Sequence, residues 1–395
     1  MYVPESVLVV GASAAGLSTA EALLRNGYQG SVTILGAEPE LPYDRPPLSK
    51  QILAGAWEPE KAQLRPTTHL AAMPMDLVLG ETAVALDPVN HIVHAESGLA
   101  VQADAVVIAT GVHARTLPGA DGLAGVHVLR NLADAVALRA DLLRATRLVV
   151  VGEGVLGSEI AATARTMGLD VTVVGPLLAP MAGQLGPVIA PLLGDLHTER
   201  GVRMRLGTGV SGFIHDGGRV GGVRLDTGEE LPADVVVVAV GAVPATEWLT
   251  DSGLTLDNGV VCDSYCRAAQ GIYAAGDVAR WYDDHVGGLV RMENRTNATE
   301  QAAAVAANLL GAEQSYTPIP YFWTDQFDTK IQVHGTLPTG AEVEIVNGST
   351  DERRFVARYT LEGRVTGVVG WNMPKQTRLR RQEIVEARSA ATSRA

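Results

Sequence analysis

The chain has 395 residues, enough for two to three domains of about 100 to 200 residues each. Apolar residues make up 47 % and charged residues 19 %, and the 43 glycines and 20 prolines follow no G-X-Y period, which excludes collagenous and disordered classes. With 31 basic against 44 acidic residues the net charge is −13, a surplus that repels phosphate backbones and anionic membranes, so nucleic acid is not an expected partner.

No basic leader opens the chain, and the apolar run at residues 7–10 stops at Gly11, well short of a signal core or a membrane span. That run begins a pattern that occurs twice, as VLVVGASAAG ending at Gly16 and LVVVGEGVLG ending at Gly157, with Gly11 and Gly152 lying 141 residues apart. Each copy reads as an apolar strand, a Gly-rich turn and a helix closed by Asn26-Gly27 or Met167-Gly168, then a second strand at residues 31–35 or 170–174. Two βαβ units of this kind predict an α/β protein with two Rossmann-like dinucleotide-binding domains. Further buried strands are predicted at residues 105–109 and 235–240, both reading as returns between domains, and a helix at residues 298–310. From Tyr316 aromatics cluster, alternation appears at residues 330–334 and 353–359, and Gly348 and Gly363 read as hairpin glycines of a separate C-terminal α+β domain.

A dinucleotide turn needs small residues because backbone N–H groups and the positive helix end must come close to a pyrophosphate. The first turn offers Gly11, Ser13, Ala14, Ala15 and Gly16, with serine replacing the middle glycine. Glu38, just past the second strand, is placed to accept hydrogen bonds from ribose hydroxyls. The second turn, Gly152, Gly154, Val155, Leu156 and Gly157, is a complete G-x-G-x-x-G. Its following strand, however, ends in Gly175-Pro176, so neither an acid for NADH nor a cation for the 2′-phosphate of NADPH is supplied between Gly175 and Gly186.

The run Leu41-Pro-Tyr-Asp-Arg-Pro-Pro-Leu-Ser-Lys50 resembles the signature of FAD-dependent ferredoxin reductases, the electron-input components of Rieske oxygenase and haem-thiolate monooxygenase systems. Supporting pieces are Ala109-Thr110-Gly111 with Arg115 four residues on, Gly157-Ser-Glu159, Ile272-Tyr-Ala-Ala-Gly276-Asp277 and Pro320-Tyr-Phe-Trp323-Thr-Asp325-Gln326. The resemblance covers essentially the whole chain and implies a glutathione reductase-like architecture. Residues 1–112 and 241–314 would form the FAD-binding domain, 113–240 the NAD(P)-binding domain and 315–395 the C-terminal domain.

The paired prolines fix the backbone around Arg45 and Lys50. The resemblance puts Arg45 beside the FAD adenosine and Lys50 near the flavin ring, where a cation stabilises developing negative charge. It gives Asp277 a hydrogen bond to the ribityl chain, beside a helix end that faces the pyrophosphate; an ordinary helix N-cap is the plainer role for this aspartate. Ala83, Thr110, Gly111, Arg115, Gly241, Gly276 and Glu293 join the cofactor-binding positions, and Trp323 would cover part of the flavin edge. Glu159, on the first turn of the second motif's helix, is expected to pair with Lys50 as the catalytic couple that aligns the nicotinamide; helix-dipole compensation is the competing role. Asn294-Arg295 stands where the resembling reductases carry His-Trp, which removes an aromatic platform and leaves Arg295 to face a protein partner.

Disulfide reductases of this architecture need a cysteine pair near the flavin, yet the two cysteines here are Cys262 and Cys266, so no thiol relay is expected. Four residues apart on an extended strand they would lie roughly 13 Å from each other, beyond disulfide reach. They read as packing residues of a protein in a reducing cytoplasm. The nine histidines show no paired ligand spacing, so no metal site is expected.

The expected activity is therefore hydride transfer from NADH or NADPH to FAD, with single electrons leaving for a small iron-sulfur ferredoxin that feeds an oxygenase, from a monomer or homodimer without membrane attachment. Rival readings are a rubredoxin reductase, an NADH oxidase, and an FAD-holding protein that senses NADH. From Lys375 to Arg394 six basic residues face two acidic ones, +4, which leaves −17 for the remainder. That basic tail, with Arg65, Arg295 or Lys330, would steer an acidic ferredoxin, or else simply aid solubility.

Overall fold

Uninterrupted apolar runs suit parallel strands covered on both faces. Ser6–Val10 is such a strand, with Leu8 and Val9 fully buried, and it lies within the sheet order Arg267–Ala269, Ile272–Ala274, Ala105–Ile108, Ser6–Val10, Ser31–Gly36, Asp76–Leu79. Every pairing in this sheet is parallel except that between the two strands at the Arg267 end. The computed structural model describes residues 3–392. It divides into one unit from Met1–Asp44, Glu60–His113 and Val243–Pro318, which holds this sheet, and a second from Arg45–Pro59, Ala114–Ala242 and Ile319–Ala395.

In the first unit the helix Ala14–Arg25 follows the first turn and packs against the helix Arg295–Leu309. The second of these buries Ala298, Ala302, Val305, Ala306 and Leu309 along one stripe, and its small side chains let the backbones approach closely. It begins three residues earlier than the alanine run suggested, with Asn294 in extended geometry as N-cap. Gly276-Asp277 is followed by the strand Ala279–Asp283, so the N-cap role considered for Asp277 does not arise. The reason is alternation: Ala279, Trp281 and Asp283 turn inward while Arg280 and Tyr282 do not, a period of two. The helix N-terminus in that part of the unit belongs instead to Arg295–Leu309, whose Gln301 accepts a 2.9 Å hydrogen bond from the Gly276 N–H.

The second unit repeats the design with the all-parallel order Arg203–Leu206, Asp170–Gly175, Arg147–Val151, Val235–Val238, Val126–His127. The helix Val155–Thr166 follows the second turn. The C-terminal portion is an antiparallel sheet ordered Tyr321–Gln326, Thr329–Gly335, Arg364–Trp371, Arg354–Leu361, Glu342–Ser349, with the helix Pro374–Thr392 against it. One apolar cluster joins the two parts: Leu185, Ile189 and Leu193 of the helix Ala182–Glu199 meet Phe355, Tyr359 and Trp371 of the sheet. Tyr359 Oη also donates to the Leu185 carbonyl at 2.6 Å. Gly363 lies in the predicted hairpin turn, but Gly348 sits inside the strand Glu342–Ser349 beside a register shift. Its φ of +74° and the nearby Arg354 carbonyl exclude a side chain there, so this glycine serves the close approach of the paired strand rather than a turn.

Candidate functional site

Both dinucleotide turns use glycine for the same steric reason. Gly11 and Gly152 have φ of +121° and +116°, and a Cβ on either would collide with the carbonyl of Ala109 or Ala239 on the neighbouring strand. Gly16 and Gly157 stand on the first helical turn, where a Cβ would strike the Gly11 or Gly152 carbonyl. The helices that follow start at Ser13 and Gly154, neither of which caps them with a side chain, and no acid lies in their first turns. Their initial N–H groups and positive ends are thus left for an anion from outside the helix. Around Gly154 there is open space within 4 Å of a would-be Cβ. In the first unit Glu38 accepts a short hydrogen bond from Tyr43 Oη.

Lys50 and Glu159, 109 residues apart, meet in the second unit at 2.6 Å. Glu159 is the fifth residue of the helix Val155–Thr166, just past the first turn where the sequence put it, and its carboxylate reaches the short helical segment Pro46–Ser49. Oε2 accepts from Lys50 Nζ and from Ser49 Oγ at 2.6 Å, and Oε1 accepts from Thr324 Oγ1 at 2.8 Å. Lys50 is 12 % and Glu159 7 % exposed at the side chain, so the ion pair is shielded from water. Gln326 Nε2 in turn donates to Thr324 Oγ1 at 3.0 Å, and Gln326 Oε1 bonds the buried His197 at 2.6 Å. Burial holds the His197 pKa below its ordinary value, which keeps the imidazole neutral. Thr163 Oγ1 donates to the Ser49 carbonyl at 2.8 Å, so the helix grips the proline loop by backbone as well as by charge.

The sequence assigns no role to Ser49, Thr324 or Gln326, although all three stand in the runs that carry the resemblance: Ser49 precedes Lys50, and the other two follow Trp323. Trp323 is half-buried and stacks on Tyr321 with ring centroids 5.9 Å apart. Arg45 donates from Nη1 to the Arg130 carbonyl at 2.6 Å. Arg115 reads the backbone of residues 241 and 242, its N–H donating to the Gly241 carbonyl at 3.0 Å and its Nε to that of Ala242 at 3.1 Å.

In the first unit Thr110 Oγ1 donates to the Ala245 carbonyl at 2.8 Å, and Gly111 takes φ of +73°. Ala83 opens the strand Ala83–Asp87. A Cβ on Gly276 would lie 2.9 Å from that of Ala15, so the fingerprint helix and the Gly276-Asp277 turn are in close approach. Glu293 is paired with Arg291 at 2.7 Å, and Arg291 also holds the Asp277 carbonyl at 3.0 Å. Arg295 does not project freely towards a partner: its guanidinium is paired with Asp44 and bonded to Thr299. The two cysteines are free and buried, with burial raising the Cys262 thiol well above its usual pKa and pushing that of Cys266 up to about 12. Both are inert packing groups, as the sequence indicated.

Residues 5–302 match the pyridine nucleotide-disulphide oxidoreductase family and residues 321–395 the reductase C-terminal family. The chain is 39 % identical to rhodocoxin reductase of Rhodococcus erythropolis, over 94 % of its own length and 87 % of that protein's. It is 37 % identical to the ferredoxin–NAD(+) reductase subunit of the benzene 1,2-dioxygenase system of Pseudomonas putida, over 96 % and 92 %. Its fold superposes on the crystal structure of the covalent putidaredoxin reductase–putidaredoxin complex with a TM-score of 0.91 at 33 % identity, covering 97 % of this chain and 93 % of that one. The family implies FAD and a nicotinamide dinucleotide, and the two glycine cradles, each closed to side chains and leading into an uncapped helix, fit two such groups. The chain belongs to the pyridine nucleotide-disulphide oxidoreductase family, among the ferredoxin reductases that carry a C-terminal reductase domain.

Proposed function

We propose that the chain is the electron-input reductase of an oxygenase system, drawing on NADH and delivering electrons to a small iron-sulfur ferredoxin. The observation that carries this reading is coverage: relatives named as reductase components of dioxygenase systems align over 96 % and 97 % of this chain, which takes in both glycine turns and the C-terminal sheet. Bound FAD supplies the redox chemistry, accepting a hydride from reduced nicotinamide and releasing the two electrons singly.

The chain's own residues bind and orient. Gly11, Ser13, Ala14, Ala15 and Gly16 receive the FAD pyrophosphate at a helix N-terminus, and Glu38 takes ribose hydroxyls. Ala83, Thr110, Gly111, Gly276, Asp277 and Glu293 complete the FAD-binding set in the first unit. Gly152, Gly154, Val155, Leu156 and Gly157 receive the nicotinamide dinucleotide, with Arg115 and Gly241 bordering its domain. Arg45 and Trp323 also serve the flavin, the one through the adenosine and the other along the ring edge. Lys50 supplies a fixed positive charge for the reduced flavin, and Glu159 holds that charge in place through Ser49 and Thr324. The division at residues 112, 240 and 314 is our reading of domain boundaries, supported by the two parallel sheets and the separate antiparallel one. Two free, buried cysteines suit the reducing cytoplasm.

Cytochrome c reduction by the FAD-loaded protein tests the reading. NADH-driven turnover should rise many-fold when a 2Fe-2S ferredoxin is added; turnover indifferent to ferredoxin, with oxygen consumed in proportion to NADH, overturns it.

A further inference from the structure

In the first unit the residue between the two leading turn positions is Ala12, and it faces the last residue of the following strand: a Cβ on Gly36 would lie 2.5 Å from Ala12 Cβ. The ribose-reading acid then comes two residues later, as Glu38. The second unit has the same juxtaposition with the sizes exchanged. Glu153 stands in place of Ala12, Gly175 in place of Gly36, and Leu177 in place of Glu38. The Glu153 side chain folds over Gly175 so closely that Oε2 occupies the space of a Cβ there, and Oε1 accepts from the Leu177 N–H at 2.9 Å. A carboxylate therefore reaches the end of the strand Asp170–Gly175 from the turn rather than from the strand.

We infer that Glu153 is the residue that reads the adenosine ribose of the nicotinamide dinucleotide and rejects a 2′-phosphate, a role transferred to it from the strand end that Gly175 leaves bare. The inference rests on the assignment of the second turn to NADH made above. Three features support it. The Leu177 N–H fixes the carboxylate while four lone-pair sites on two oxygens leave acceptor capacity for a vicinal diol. A fixed anion at that place repels a phosphate dianion. The neighbouring strand's Arg205, a cation that could offset it, is paired with Glu229 at 3.1 Å. Gly175 is also required sterically, because any side chain there would displace the Glu153 carboxylate.

Calorimetric titration of the FAD-loaded protein with ADP-ribose and with 2′-phospho-ADP-ribose tests this without turnover. Wild-type protein should prefer ADP-ribose. Glu153→Gln, which keeps the shape and the capacity to accept from Leu177, should weaken ADP-ribose binding about ten- to hundredfold, as loss of hydrogen bonds to a charged group does, and narrow the preference. Gly175→Glu alone should weaken ADP-ribose binding by crowding, whereas Glu153→Gly combined with Gly175→Glu should recover most of it by returning the acid to the strand end. A preference unchanged in Glu153→Gln, or a double variant no better than Glu153→Gly, overturns the assignment while leaving the NADH reading intact. Tighter binding of 2′-phospho-ADP-ribose by wild-type protein instead overturns the NADH reading itself.

Discussion

Glu159 accepts three hydrogen bonds from Lys50, Ser49 and Thr324 while nearly excluded from water, so its charge is both needed and held. Glu159→Ala strands the Lys50 ammonium in a shielded site and should lower stability by about 3 kcal/mol, seen in the urea midpoint. Glu159→Gln keeps the shape and should slow flavin reduction by NADH about tenfold or more in stopped-flow absorbance, the scale of one lost electrostatic contact. An unchanged rate would confine Glu159 to a structural role. His334 adds a pH effect: burial first, and the Arg381 charge second, lower its pKa to about 4. The folded chain keeps it neutral down to that value, whereas the unfolded chain protonates it near its ordinary value of about 6.5. Its contribution is therefore intact above pH 6.5 and is lost as pH falls from there towards 4. His334→Gln should flatten the decline of melting temperature between pH 6.5 and 4; an identical slope in the variant would refute it.

Among elements, the helix Ala182–Glu199 departs furthest from its local propensity, since Gly186-Pro187 interrupts it and Pro191 follows. Gly186 has φ of 71° and ψ of 177°, a conformation open essentially to glycine alone, and it redirects the helix so that Leu185 and Ile189 both enter the shared core with Tyr359. Gly186→Ala should cost about 1 to 3 kcal/mol, read as a lowered denaturant midpoint with unchanged slope. Elements with strong local codes were readable in sequence. Gly11, Gly16, Gly152 and Gly157 mark their turns because no other residue avoids the facing carbonyls. Gly348 lies in a strand rather than a turn because close approach of a paired strand and a turn both call for glycine, and the chain alone does not show which strand opposes it. The plainer N-cap role of Asp277 fails for a related reason, since Gly-Asp opens a helix or a strand according to what lies beyond.

At the scale of the whole chain, charge is distributed rather than patterned in the way the basic tail suggested. Arg65 is paired with Glu21, Lys330 lies 3.7 Å from Asp325, and Arg380 is paired with Glu383. Arg394 lies outside the described residues. Lys375 and Arg378 on the helix Pro374–Thr392 are exposed and remain the better candidates for attracting an acidic ferredoxin. Reversing both to glutamate should lower kcat/KM for ferredoxin about threefold or more at low salt and reduce its salt dependence, with NADH-driven ferricyanide reduction unchanged. Equal salt profiles for variant and wild type would remove the tail from the encounter. Among the described residues no helix is long and apolar enough to cross a membrane.

The sequence by itself determined two glycine turns, each joining an apolar strand to a helix, and the proline-braced Arg45–Lys50 loop, because each is written in contiguous residues whose steric and chemical constraints are local. Tertiary structure alone decided that Ser49 and Thr324 join the Lys50–Glu159 pair, that the residues Arg45–Pro59 fold with the second unit, and that Glu153 lies over Gly175. Those outcomes depend on which distant side chains packing brings together and on the space a missing Cβ leaves, quantities that spacing along the chain does not contain.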